Sequence, residues 1–322
     1  MNNILDEIKE AKTIGIAGHV RPDGDCVGSC MALYRYLRKN LPEDTVIDVY
    51  LERIPDRFSV LPGTDRVKQL NEDGIVYDLF LSLDSSSADR LGFALEYFES
   101  AKRTICIDHH ISNTKFAGLN HVVPDASSTC EVLFSLFEEQ RIDLPAAEAL
   151  YLGIIHDTGV FKHSNTSEKT MMIAGKLIAK GVLFSKLIDE TFYLKNYTQN
   201  QILGRCLLES MLILDGRCIV STVSKKMLEF YQAVPADLDG IIDQLRITQG
   251  VEVAILVYES DLREYKVSMR ANGGVDVSRI ATYFGGGGHV KAAGCTMLGS
   301  IHDVINNLAA HIEHQLADRA AE

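Results

Sequence analysis

The sequence has no apolar run approaching the roughly 18–20 residues that a transmembrane helix requires. Residues 1–12 are polar and carry both signs of charge, so the apolar centre of a secretion signal is missing as well. A cytoplasmic location is the expectation by default, with no membrane partner. No two cysteines stand in a C-x-x-C spacing. The seven present, Cys26, Cys30, Cys106, Cys130, Cys206, Cys218 and Cys295, fall mostly in apolar or helical stretches. That suits reduced, buried side chains rather than a disulfide framework. An excess of positive charge is also lacking: 44 acidic residues outnumber 32 basic ones, for a formal net charge of −12. Long duplex nucleic acid is held through basic surfaces that release counterions, so such a chain is a poor candidate for wrapping it. A small phosphate ligand is not excluded, because bound metal ions and a few local cations suffice to hold it. Neither a fixed-period repeat nor a low-complexity tract is visible.

What is present is an ordinary globular composition, 46% hydrophobic and 24% charged, in a chain of 322 residues that suits two domains. Residues 13–18 (TIGIAG), 46–51, 79–83 (LFLSL) and 103–107 (RTICI) read as short buried strands separated by helical patterns, the first helix spanning residues 26–40. Such a series predicts a mainly parallel sheet flanked by helices, an α/β fold. Ser128-x-x-Glu131 reads as a capping box opening a helix to about residue 140, and Pro145 opens another that ends near His156. After a helical stretch over residues 167–209, residues 212–224, 251–259 and 264–271 read as strands, with a terminal helix over 300–317. This divides the chain into a catalytic domain over residues 1–195, a linker helix or hinge over 196–210 and a smaller α/β domain over 211–322. The active site is expected between the two domains.

Acidic and histidine residues cluster at the carboxyl ends of these strands and at one helix end, where open α/β sheets place their ligand crevice. His19-x-x-x-Asp23-Gly-Asp25 follows the first strand. Gly24 permits a tight path that lets both carboxylates face one cation, and His19 adds a nitrogen ligand suited to a transition metal. An Asp-Gly turn with a helix-capping Asp25 is the plain alternative for this piece alone. Asp84 follows residues 79–83, Asp108-His109-His110 follows 103–107, and His156-Asp157-Thr158-Gly159 closes a helix. His19, Asp23, Asp25, Asp84, His109 and Asp157 make six nitrogen and oxygen ligands, a number that suits two ions sharing a carboxylate. Asp108 is placed to orient a neighbouring imidazole. Further along, Ser268-Met-Arg270-Ala-Asn272 puts an arginine where it could clamp a phosphate. Residues 285–288 are all glycine, and Gly286, Gly287, Gly288 and His289 suggest an anion-binding loop at a helix start.

These pieces resemble the four motifs of the DHH phosphoesterase superfamily, and residues 277–294 resemble the glycine-rich signature of its associated C-terminal domain. The similarity runs in order through most of the chain and is strongest to the bacterial nanoRNase and 3′-phosphoadenosine 5′-phosphate (PAP) phosphatase branch. It implies a hydrolase that cuts short oligoribonucleotides, linear dinucleotides or PAP to mononucleotides. It also implies two Mn²⁺ ions, with Mg²⁺ or Co²⁺ as alternatives. By the resemblance, His19, Asp23 and Asp84 would hold one ion, and Asp25, Asp84, His109 and Asp157 the other. Asp84, Asp108 and His110 would be the catalytic residues, His110 meeting the phosphate or the leaving oxygen. Arg270, Asn272, the glycines and His289 would bind the rest of a short single-stranded RNA, DNA or nucleotide substrate. Lys162 stands where an arginine is expected, so it lacks the bidentate fork. A homodimer is compatible with the branch. A pyrophosphatase or polyphosphatase would share the N-terminal motifs but would require a denser basic patch in the C-terminal domain. A non-catalytic nucleotide-binding regulator would be favoured by a broken constellation, and none of the six positions is broken.

Overall fold

The computed structural model describes residues 1–70 and 74–320. The chain divides into two compact units, Met1–Leu194 and a second beginning at Lys195. In the first unit, α1 (Ile4–Ile8) precedes β1 (Thr13–Ala17), α2 (Gly24–Asn40), β2 (Val46–Tyr50), β3 (Leu79–Leu83), α3 (Leu95–Ser100), β4 (Thr104–Asp108) and β5 (Leu119–Val122). Four helices follow, α4 (Thr129–Leu136), α5 (Leu144–Asp157), α6 (Glu168–Ala179) and α7 (Phe184–Ile188). The five strands pair in the order β2-β1-β3-β4-β5, all parallel. Central strand β3 is buried at every position, which is why it reads as an unbroken apolar run. One face of the sheet is covered by α2, α4 and α5 through a core that includes Ile14, Ile16, Leu81 and Leu83. The other face packs Tyr50, Tyr77 and Phe80 against Tyr97 and Phe98 of α3. The chain winds from β1 outward to β2 and returns to β3 on the other side of β1. The carboxyl ends of β1 and β3 therefore flank the topological switch point, where such sheets open a crevice.

Two glycines bring α2 and α5 close together. A Cβ on Gly28 would lie 2.7 Å from the Ala149 carbonyl oxygen, and one on Gly153 would lie 2.2 Å from Cys130 Sγ. Ser128 caps α4 as expected, accepting from the Glu131 amide. The reciprocal half of the capping box does not form, because Glu131 turns to Ser127 Oγ and Thr170 Oγ1, both at 2.7 Å. Edge strand β5 was not expected: it carries Asn120 and His121, is half-buried throughout and so presents no apolar run.

The second unit opens with α8 (Tyr197–Leu208), the stretch expected to be a linker. Its Ile202 and Cys206 are instead buried in a core of that unit. Then come β6 (Met211–Ile213), β7 (Cys218–Val223), α9 (Lys225–Tyr231), α10 (Ile241–Arg246), β8 (Val253–Asp261), β9 (Glu264–Ala271), α11 (Val277–Tyr283), β10 (Gly287–His289), β11 (Ala292–Leu298) and α12 (Ile301–Ala320). They form a mixed sheet of order β10-β11-β9-β8-β7-β6. The single strand expected over residues 212–224 is two, because Leu214, Asp215 and Gly216 turn the chain through three consecutive left-handed conformations. All seven cysteines are free and buried. Among the described residues no helix is long and apolar enough to cross a membrane.

Candidate metal centre

Every one of the six expected ligands, with Asp108 and His110, belongs to the first unit, and the switch point accounts for their meeting. His19 follows β1, and Asp84 follows β3 with a left-handed φ of 54°, a conformation that aspartate tolerates better than most residues. The two oxygens of Asp84 face different imidazoles. Oδ2 lies 3.5 Å from His19 Nε2, and Oδ1 lies 3.6 Å from His109 Nε2. Asp23 Oδ2 stands 3.6 Å from His19 Nε2, while its Oδ1 caps α2 by accepting from the Asp25 and Cys26 amides. His109 Nε2 also meets Asp157 Oδ2 at 3.1 Å. Both histidines are aimed by their other nitrogen, Nδ1 of His19 donating to the Val20 carbonyl at 2.9 Å and Nδ1 of His109 to the Ala126 carbonyl at 3.3 Å.

Asp25 is fully buried. Its oxygens accept from the Thr129 and Cys130 amides at 2.6 and 3.0 Å, so the N-terminus of α4 partly offsets its charge. Each oxygen keeps a second lone pair for another partner. Burial and the neighbouring charge of Asp84 push the carboxyls of Asp25 and Asp157 above their usual range. Burial alone would lower His19, but Asp23 and Asp84 outweigh it and push it up to about 11. His109 is raised in the same way, Asp157 and Asp25 outweighing its burial. The cluster thus demands positive charge, which divalent ions supply while displacing the imidazole protons. Ligand atoms of Asp25, His109 and Asp157 lie within 4.8 Å of one another, and so do those of His19, Cys26 and Asp84. Mixed nitrogen and carboxylate donors, with Asp84 shared, fit two ions.

Sequence reasoning missed several supporting groups. Thr129 Oγ1 donates to Asp84 Oδ1 at 3.0 Å. Asn113 Nδ2 donates to Asp108 Oδ2 at 2.7 Å and to the Ser85 carbonyl at 3.0 Å, tying the loop after β4 to the one after β3. The only signal was an amide three residues beyond His110. His156, next to Asp157, is not part of the centre. It packs against Phe58 and Phe192, and burial followed by Arg57 lowers it to about 4.

Residues 13–154 match the N-terminal domain of the DHH family, and residues 215–318 match the DHHA1 domain. A bifunctional oligoribonuclease and PAP phosphatase NrnA from Thermus thermophilus is 30% identical over 290 residues, 89% of this chain and 84% of the relative. The chain belongs to the DHH family. A second DHH relative, the bifunctional oligoribonuclease and PAP phosphatase NrnA of Bacillus subtilis, is 27% identical over 290 residues, 88% of this chain and 89% of the relative. The crystal structure of an exopolyphosphatase-related protein from Bacteroides fragilis superposes with a TM-score of 0.85 at 23% identity, covering 96% of this chain and 95% of that one. At that identity the likeness establishes the fold alone.

In the DHHA1 unit, Arg270 Nε approaches Asp243 Oδ1 at 3.8 Å, and the same oxygen is 3.6 Å from Arg246 Nε. Asn272 plays a structural part. Its Oδ1 accepts from Arg246 Nη1 at 2.9 Å, and its Nδ2 donates to the Arg246 and Val251 carbonyls. The glycine run does not sit at a helix start. The amides of Gly285 and Gly286 close the end of α11, and Gly287 to His289 pair with β11 as a hairpin. That pairing commits part of the backbone that an anion-binding loop would need. Gly286, Gly287, Gly288 and His289 are exposed, as is Lys162 in the first unit.

A direct consequence of the buried carboxylates is metal-linked stability in this DHH-family chain. With a divalent metal ion at about 100 times its dissociation constant, binding adds roughly 2.7 kcal/mol. For a unit of this size that raises the thermal midpoint by roughly 5–10 °C. Calorimetry with and without divalent ions measures it, and an unchanged midpoint with every divalent ion tried at millimolar concentration would contradict the centre.

Proposed function

We propose that the chain is a two-metal phosphoesterase that hydrolyses short oligoribonucleotides and PAP to mononucleotides, with Mn²⁺ as its preferred ion and Mg²⁺ or Co²⁺ as substitutes. The observation that carries the reading is Asp84, whose two oxygens face imidazoles delivered by neighbouring strands. His19, Asp23 and Asp84 would hold one ion, and Asp25, Asp84, His109 and Asp157 the other. When bound, such a pair activates water and neutralises charge gathering on the phosphate oxygens.

The protein's own residues supply the rest. Asp108 is fully buried, and hydrogen bonds from His110 and Asn113 outweigh that burial to hold its carboxyl below the usual range. Its Oδ1 accepts from His110 Nδ1 at 2.8 Å, which raises the imidazole above its ordinary value despite partial burial. That bond favours the protonated form of His110 and leaves Nε2 turned away from Asp108, suited to donate a proton to the departing sugar oxygen. Arg270 and His289 would hold further phosphates of the substrate, and Lys162 would add a single point charge without a fork. The net charge of −12 favours short substrates over long duplex, which needs a broad basic surface.

The relatives' names, oligoribonuclease and PAP phosphatase, are what bring these two substrates to this chain. The test is a side-by-side assay with Mn²⁺ of PAP, a 5′-phosphorylated dinucleotide, pyrophosphate and a long RNA. The expected result is turnover of PAP and the dinucleotide at least about tenfold above the other two, a difference of about 1.4 kcal/mol in barrier. Faster hydrolysis of pyrophosphate, or equal rates on long and short RNA, would overturn the assignment.

A further inference from the structure

We propose that Cys26 is an additional ligand of the ion position formed by His19, Asp23 and Asp84, so that the two ion positions are chemically unequal. The inference rests on the metal-centre reading above and adds a residue to it. Cys26 stands in the first turn of α2, directly after Asp25. Its Sγ, a ring nitrogen of His19 and a carboxylate oxygen of Asp84 all lie within 4.8 Å of one another, and all three residues are buried. The space for the sulfur is made by Gly18, where a Cβ would lie 2.3 Å from it. Gly18 does not adopt a left-handed φ, so the need for glycine there is room for the thiol and not backbone conformation. The thiol also reaches the His19 carbonyl oxygen, at 3.8 Å.

Among the described residues, the second position has no equivalent. Asp25, His109 and Asp157 group together without sulfur. Cys130, although buried beside Asp25, directs its thiol at the Asp25 and Ala149 carbonyl oxygens, at 4.0 and 3.8 Å. One position thus combines a thiol with nitrogen and carboxylate donors, and the other offers only nitrogen and oxygen. A thiolate favours softer ions such as Zn²⁺, Cd²⁺ and Co²⁺ over Mn²⁺ and Mg²⁺. Ligation breaks the S–H bond and forms a sulfur–metal bond, the proton passing to solvent.

The test is electronic absorption of the full-length protein titrated with Co²⁺. A near-ultraviolet thiolate-to-Co²⁺ charge-transfer band is expected as the ion binds. Cys26→Ser and Cys26→Ala should lose that band while still taking up two Co²⁺, and Cys30→Ala and Cys130→Ala should retain it. The near-isosteric serine variant keeps the packing, so loss of the band there reports ligation and not unfolding. In competition, Cys26→Ala should weaken Zn²⁺ binding about tenfold or more and Mn²⁺ binding by less than about threefold. Two bound Co²⁺ without the band in the unmodified protein, or a band surviving in Cys26→Ala, would overturn the proposal and leave the metal centre standing. Failure to take up Co²⁺ at all would overturn both.

Discussion

Asp84→Ala is expected to lose more than about a thousandfold in kcat on any substrate the enzyme turns over. Removing one preorganised electrostatic group from an active site costs roughly 10²–10³ in rate. Asp84 serves two such roles at once, its Oδ2 facing His19 and its Oδ1 facing His109. The variant should nevertheless fold. Asp84 stands at a strand end outside the apolar core, so its loss costs polar contacts with His19, His109 and Thr129 and no core packing. Asp84→Asn gives the cleaner comparison, because asparagine also tolerates the left-handed φ of 54° found here. Both variants should show a circular dichroism spectrum like the parent's and lose most of the Mn²⁺-dependent rise in thermal midpoint. A folded Asp84→Asn protein with undiminished turnover would end the shared-carboxylate account.

The second large effect is predicted at a residue that is not itself a ligand. Gly153→Ala places a Cβ in α5 that would lie 2.2 Å from Cys130 Sγ and 2.5 Å from Asp25 Oδ1. Alanine in a helix gains up to about 1 kcal/mol over glycine, whereas overpacking a core costs roughly 1–3 kcal/mol. The balance, a net loss of up to about 2 kcal/mol, lowers the thermal midpoint by up to about 8 °C. Activity should suffer more, because the contact displaces Asp25 from the Thr129 and Cys130 amides that hold it. A misplacement of about 1 Å in a catalytic constellation costs around a hundredfold, so kcat/KM should fall at least that far. Gly175→Ala in α6 is the control. A Cβ there has nothing within 4 Å, so the variant should be as active as the parent and at least as stable. If Gly153→Ala behaves like Gly175→Ala, the close approach of α2 and α5 has no part in placing the site.

Much of the first unit was legible because its signals are local. β1 and β3 read as mainly apolar runs followed within two residues by His19 and Asp84, and β4 is a mainly apolar run that ends on Asp108. The same reading failed where the local signal is weak or misleading. Strand β5 is half-buried and polar, and the glycine run suggested a loop where Gly287–His289 pair as a strand with β11. Asn272 was named among the substrate-binding residues, and no local pattern shows its contacts within the sheet. Its amide joins the end of β9 to Arg246 and Val251, partners that come into view only when the sheet is assembled.

The sequence by itself determined which residue types are available, their order and their placement at the ends of strands, because periodicity and end signals act over a few residues. Only the tertiary structure decided which atoms meet. The return from β2 to β3 across β1 sets His19 beside Asp84, and the bare backbones of Gly28 and Gly153 let α2 approach α5 so that Asp25 reaches the first turn of α4. The same packing places the Cys26 thiol near His19 and Asp84, and Thr129 on the shared carboxylate. These contacts join residues as far as 105 positions apart in the chain, and their geometry depends on strand order and interhelical distance, which no local pattern encodes.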